Sequence, residues 1–498
     1  MVYCGKPSKS CEACRTTKTK CDKGLPSCGQ CIRLGRLCPG YRDVEALLFR
    51  NETNKTVRRA RYGKRSDTVS ELVSPYTNSY AEYGVIPGPG PPPSSARVLD
   101  LPPSLRDQAI GLFFHQLSAE PGCINYIKPV YRTFENGFLE DLFESIGLAF
   151  MSASTSGNNL MSEAWKKYAS VLRSVNTALG DMGSATSDET LIAVLLLALF
   201  ESITCDTPRS LRSWDRHCDG ATAIVNARGT EQFQSELGLK VFYHVRDYLM
   251  IQAYQKRVCI PRTILELACA ADAVDPTIDI AEKSLFHINA SVCSLRHQET
   301  STNADPSGLL SFAKCIDEEF ENWVDTIPDH YKFTIVPDNS PDTLNGLYHT
   351  YPSFAASRIW NIYRCGRILT QEVVVRQLLS GQTGLDPWST SSQLQSSRAT
   401  TAQLCADICA SVPSFLKSGS LRAATGHALL WPLYVVATTT NVEPSTRSWV
   451  VTELREISRR TAVLQGMGLA DALSMKWEIT LWSKNARIET VEDDNMEW

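Results

Sequence analysis

The sequence has no apolar run long enough to span a bilayer. Its longest, Leu191 to Phe200, is about half the length a membrane helix requires, and is expected as a buried helix instead. The first residues, Met1-Val2-Tyr3-Cys4-Gly5-Lys6, hold no apolar signal-peptide core. No membrane partner is expected. Runs of alternating apolar and polar residues bounded by turn signals are also missing, so β-structure is not expected. The familiar enzyme signatures are absent as well: no His-Glu-x-x-His for a catalytic zinc, no G-x-S-x-G nucleophile elbow and no Walker A phosphate loop. Of the 17 cysteines, those beyond Cys38 fall at irregular spacings. That pattern suits free buried thiols in a reducing compartment and not a disulfide framework.

What is present begins with size and charge. A chain of 498 residues, 43% hydrophobic and 21% charged, is expected to fold into two to four globular domains. The formal charge of −4 conceals an asymmetry. Residues 1–65 carry 16 Lys+Arg against 5 Asp+Glu, and the acidic excess lies in the remainder. A basic head on an acidic body points to a polyanion, most simply nucleic acid, as the partner of the head alone.

Six cysteines dominate that head: Cys11, Cys14, Cys21, Cys28, Cys31 and Cys38. Their spacing is C-x2-C-x6-C, a connector, and C-x2-C-x6-C again. A C-x2-C turn lets two soft thiolates reach one tetrahedral metal. Each half supplies three thiolates, one short of a closed zinc site. Two four-coordinate zincs need eight sulfur contacts, which six cysteines supply if two of them bridge. Cys11 and Cys28, first in each half, are the candidates. The alternative is a one-zinc ribbon on an enzyme, using Cys11, Cys14, Cys28 and Cys31 and leaving Cys21 and Cys38 idle. Six thiolates and two Zn²⁺ leave a formal charge of about −2. Arg15, Lys18, Lys20, Lys23, Arg33 and Arg36 exceed it and favour thiolates. Short helices are expected over Arg15 to Lys20 and Ile32 to Leu37, with Pro26 turning the chain between halves. So small a unit has almost no apolar core, and metal must supply its folding free energy.

The run Cys11-x2-Cys14-Arg15-Thr16-Thr17-Lys18-Thr19-Lys20-Cys21-Asp22-Lys23, with Pro26-x-Cys28-x2-Cys31-x6-Cys38, resembles the fungal Zn₂Cys₆ binuclear-cluster DNA-binding domain. The resemblance implies two Zn²⁺ per chain and a first helix entering the major groove at a CGG-type triplet. It places Lys18 at guanine acceptors, and Arg15, Lys20 and Lys23 near phosphates. Thr17 stands where many relatives carry a further basic residue.

In chain order, residues 1–10 form a short basic segment, 11–38 the cluster, and 39–100 a linker that is first basic and then Pro/Gly/Ser-rich. Behind the cluster, Val44, Leu47 and Leu48 begin a heptad that Asn51, Asn54 and Lys55 interrupt, so no long coiled coil is expected. Arg58, Arg59, Arg61, Lys64 and Arg65 are candidates for nuclear import or phosphate contact. The Pro87-Gly88-Pro89-Gly90-Pro91-Pro92-Pro93 run is expected to be unstructured.

Residues 101–498 read as one large all-α body. Leu105, Ala109, Leu112, Phe113 and Leu117 mark one helical face, and Leu139, Leu142, Phe143, Ile146 and Phe150 another. Trp165, Tyr168, Leu172 and Val175 continue the pattern. Further helices are expected from Leu239 to Val258, ending before Pro261, and around Ile359, Trp360, Tyr363 and Ile368. A kinked pair is expected from Leu429-Leu430-Trp431-Pro432-Leu433. Breaks are expected at 297–307, 336–345 and 382–394. Trp214-x2-His217-x2-Gly220-Ala221-x2-Ile224-x3-Arg228-Gly229 and Leu430-Trp431-Pro432-Leu433-Tyr434 resemble the fungal-specific transcription-factor regulatory region. Trp214 and His217, one turn apart, either line a ligand pocket or pack as a core Trp and a satisfied His. Cys405 and Cys409 read as buried free thiols. The acidic, partly apolar end from Glu489 to Trp498 resembles an activation segment, or is a frayed tail.

Together these features describe a sequence-specific DNA-binding transcription factor of RNA polymerase II genes, nuclear and not an enzyme. The expected partners are double-stranded DNA with CGG-type half-sites and transcriptional coregulators. The chain acts as a monomer or as a homodimer through its body. By the resemblance its targets are metabolic or secondary-metabolite biosynthetic genes.

Overall fold

The computed structural model describes residues 11–17, 19–22, 24, 27–36, 38, 103–117, 124–134, 137–154, 158–204, 211–276, 278–338, 343–417, 422–440 and 442–474. The segments 1–10, 39–100 and 489–498, with the interrupted heptad and the basic run Arg58 to Arg65, lie outside the described residues. The chain divides into two compact units, Met1–Val98 and Leu99–Trp498.

In the first unit two short helices begin within the two C-x2-C turns, directly after the first cysteine of each: α1 (Glu12–Thr16) and α2 (Gly29–Arg33). Both begin and end earlier in the chain than the expected 15–20 and 32–37. The reason is local. Cys28 has extended backbone angles, and its sulfur accepts the Cys31 N–H at 3.4 Å, so it caps a helix starting at the next residue. Cys11 accepts from Cys14 in the same way, also at 3.4 Å. Gly35, at φ +61°, then ends α2. Its N–H reaches the Ile32 carbonyl (3.1 Å) and that of Arg36 reaches Cys31 (2.9 Å), the paired bonds of a Schellman stop.

The second unit is helical around one buried helix. Its main helices are α3 (Leu105–Leu117), α4 (Phe138–Ser154), α5 (Asn158–Ala178), α6 (Asp188–Thr204), α7 (Leu211–Arg228), α8 (Glu236–Lys256) and α9 (Arg262–Val274). They continue with α10 (Ile280–Gln298), α11 (Pro306–Thr326), α12 (Phe354–Leu379), α13 (Pro387–Lys417), α14 (Ala423–Thr438), α15 (Pro444–Thr461) and α16 (Gln465–Ser474). Helix α6 carries the apolar run and is buried from Thr190 to Ile203, because α4, α5, α7, α8 and α16 all pack on it. Among the described residues, no helix is long and apolar enough to cross a membrane. The expected face Leu139, Leu142, Phe143, Ile146 and Phe150 is buried in α4. Gly147 lets α3 approach α4 closely: a Cβ there would lie 1.9 Å from the Ala109 carbonyl oxygen.

Helix starts follow capping chemistry. Ser235, Asp279, Asp305 and Ser353 each accept a backbone N–H at the head of α8, α10, α11 and α12, and Pro306 stands in the first turn of α11. Four expectations need correction. Helix α8 ends at Lys256, where Arg257 turns left-handed at φ +52°, and Pro261 instead caps α9. Residues 334–350 hold an antiparallel hairpin, β1 (Thr334–Pro337) with β2 (Leu347–Thr350), where no strand was expected. Its residues are mostly exposed, so burial imposes no alternating pattern on them. Helix α13 starts at Pro387, inside the expected break at 382–394. A single helix, α14, runs through Pro432 where a kinked pair was expected.

Candidate metal centre and nucleic-acid interface

The two C-x2-C-x6-C halves bring six sulfurs together. Those of Cys11, Cys14, Cys21 and Cys28 lie within 4.8 Å of one another, and so do those of Cys11, Cys28, Cys31 and Cys38. Cys11 and Cys28 belong to both groups. The Cys11–Cys28, Cys14–Cys28 and Cys11–Cys31 sulfurs are each 3.7 Å apart. A zinc with bonds of about 2.3 Å at the centre of a sulfur tetrahedron sets its edges at about 3.8 Å. A disulfide would need about 2.05 Å, and all six cysteines are free. The donor set therefore fits two zinc ions and no cross-link.

Electrostatics agrees. Burial, and then the neighbouring Cys31, Cys11 and Cys14 thiols, push the Cys28 thiol well above the ordinary range despite the Cys31 N–H. Cys11 is pushed up to about 12: the Cys14 N–H favours its thiolate, but burial and the Cys14 and Cys31 thiols outweigh it. Packed this tightly, the Cys11 and Cys28 sulfurs hold their protons unless a cation compensates, and zinc uptake releases them.

The connection between halves includes a residue that spacing alone did not single out. Both oxygens of Asp22 accept the Gly29 N–H, at 2.9 and 3.0 Å. The signal was available in an acidic residue after the third cysteine and a glycine after the fourth.

Among the expected DNA contacts, Arg15 lies on α1 and Lys20 is exposed beyond it. Lys18, Lys23 and Pro26 lie outside the described residues. Thr17 bonds the Ala13 carbonyl at 2.9 Å and the Thr19 hydroxyl at 3.0 Å. Arg33 and Arg36 are exposed on the second half.

In the body the structure separates Trp214 from His217. Trp214 lines a cavity of about 390 Å³. His217 instead places Nε2 3.3 Å from Glu201, whose carboxylate also accepts the Tyr168 hydroxyl at 2.6 Å. Cys405 and Cys409 are buried free thiols, as expected.

Comparison with known proteins places these features. The fungal Zn(2)-Cys(6) binuclear cluster domain matches residues 9–45, and the fungal specific transcription factor domain matches residues 133–251. The chain carries the two domains of the fungal Zn₂Cys₆ transcription factors. The head is thus a zinc-cluster domain of the kind that holds two zinc ions, and neither matching family is an enzyme family. An uncharacterized protein of Emericella nidulans is 26% identical over 131 residues, covering 24% of this chain and 27% of the relative. Oleate activated transcription factor 3 of Kluyveromyces lactis is 45% identical over 40 residues, 8% of this chain and 6% of that protein. These matches span about a quarter or less of the relatives' length. No solved structure matches the chain.

Proposed function

We propose that this chain is a nuclear transcription factor that reads CGG-type triplets at RNA polymerase II genes through a binuclear zinc cluster and is not an enzyme. The observation that carries the reading is the pair of four-sulfur groups sharing Cys11 and Cys28 inside a strongly basic head. In this reading Cys11, Cys14, Cys21, Cys28, Cys31 and Cys38 are the zinc ligands, with Cys11 and Cys28 bridging. Lys18 donates to guanine acceptors, while Arg15, Lys20 and Lys23 contact phosphates. Arg58, Arg59, Arg61, Lys64 and Arg65 serve nuclear import or grip phosphate. Residues 39–100 link the cluster to a regulatory body at 101–498, which meets transcriptional coregulators. The targets are metabolic or secondary-metabolite genes. The zinc-loaded full chain should enrich CGG-type triplets from random duplex DNA. One triplet per site marks a monomer, and two at fixed spacing mark a homodimer through the body. Enrichment of no triplet overturns the reading.

A further inference from the structure

The cavity in the body lies among α7, α8, α10, α12, α14 and α16, and aromatic side chains contribute to its wall. Trp214, Tyr248, Tyr254, Phe286 and Trp431 line it. The Tyr254 and Trp431 rings stack at 5.9 Å and 7°. Its volume, about 390 Å³, lies within the range of small-molecule sites, roughly 300–1,000 Å³.

One charged group in this wall is only loosely paired. Arg246 is 5% exposed, with its guanidinium carbon 4.7 Å from the Tyr243 ring centroid and 4.6 Å from that of Phe286. Its Nε and Nη1 are buried without a hydrogen-bond partner. The adjacent carboxylate, Asp247, stands 3.7 Å from Nη2 and is engaged by Arg358, which donates to it at 3.0 Å. The other charged lining groups are occupied: Glu282 accepts the Tyr331 hydroxyl at 2.8 Å, and Lys240 pairs with Glu236. A buried cation with idle donors is costly unless an anion completes it. Guanidinium donors stacked between aromatic rings suit a carboxylate or sulfonate.

We propose that this cavity binds a small planar organic monoanion, its carboxylate or sulfonate pairing with the Arg246 guanidinium through Nη2 and its apolar plane lying among the aromatic rings. The site lies wholly within the second unit, so it does not depend on the DNA-binding reading, and its test contains no DNA.

The probe is 8-anilinonaphthalene-1-sulfonate, compared with N-phenyl-1-naphthylamine, which has the same rings without the charge. Fluorescence titration of the full chain should show one saturable equivalent of the sulfonate. Arg246→Met should weaken it at least tenfold while leaving the uncharged probe within twofold. Ala428→Phe, filling the cavity from α14, should abolish both. A sulfonate affinity unchanged in Arg246→Met overturns the proposal, as does the absence of saturable binding, which would mark a cavity holding water only. If Arg246→Met does not fold, thermal protection of the unmodified chain decides. The saturating sulfonate should raise Tm more than the neutral probe, and equal shifts overturn the site.

Discussion

The Asp22 carboxylate grips the Gly29 N–H with both oxygens, joining the residue after the third cysteine to the residue after the fourth. That N–H is a first-turn donor of α2 with no partner inside the helix. Asp22 therefore caps from across the connector the same helix that Cys28 caps from within. A Cβ on Gly29 would lie 2.7 Å from Asp22 Oδ2, so a side chain there would displace the carboxylate from this position. Asp22→Ala should cost about 1 kcal/mol, seen as roughly fivefold weaker zinc retention in chelator competition. Unaltered retention would show that the bond does not brace the cluster.

The cluster was legible in the sequence because thiolate spacing is a local geometric constraint: two C-x2-C-x6-C halves can place six sulfurs without reference to the body. The helices beside them were misplaced because sulfur acts there as a cap, starting each helix directly after Cys11 and Cys28. In the body, faces such as Leu139 to Phe150 were legible because one side of a helix meets a core. The hairpin at 334–350 was not, since its exposed residues carry no alternation. Nor was Arg246. No spacing or motif marks it, and its burial comes with packing against Tyr243 and against Phe286 on α10.

The shared membership of Cys11 and Cys28 makes the six cysteines unequal. Replacing a bridging sulfur removes a ligand from both zincs, whereas replacing Cys14 removes one ligand from one. Cys11→Ser and Cys28→Ser should each lose both metals by mass spectrometry under native conditions, and Cys14→Ser mainly one. Equal losses in all three variants would remove the case for bridging.

Lysines at different places on the duplex make different predictions. A base-reading Lys18 supports discrimination, so Lys18→Ala should relax triplet preference and cost about 1–3 kcal/mol on the preferred site. A phosphate-contacting Lys23 supports affinity without sequence information. Lys23→Ala should weaken all sequences alike and lower the salt dependence by about one ion. Binding curves on matched and scrambled sites at two salt concentrations separate the two. Retained selectivity in Lys18→Ala refutes the base-reading role.

Acid should loosen the body through His244. Burial, opposed by Asp247 and reinforced by Arg358 and His427, lowers its pKa to about 4, and Nδ1 lies 2.8 Å from the Tyr126 hydroxyl. Above about pH 6.5 the imidazole is neutral both folded and unfolded, and the full stability is present. As pH falls below that value the unfolded chain binds a proton that the folded chain refuses, and stability is lost until the folded group also titrates near pH 4. By pH 5 the loss amounts to about 2 kcal/mol. His244→Gln keeps a polar partner for Tyr126 but cannot titrate. Between pH 7.5 and 5 it should lose about 2 kcal/mol less than the unmodified chain in urea unfolding. Parallel losses in the two proteins would show that His244 is not the group through which acid acts.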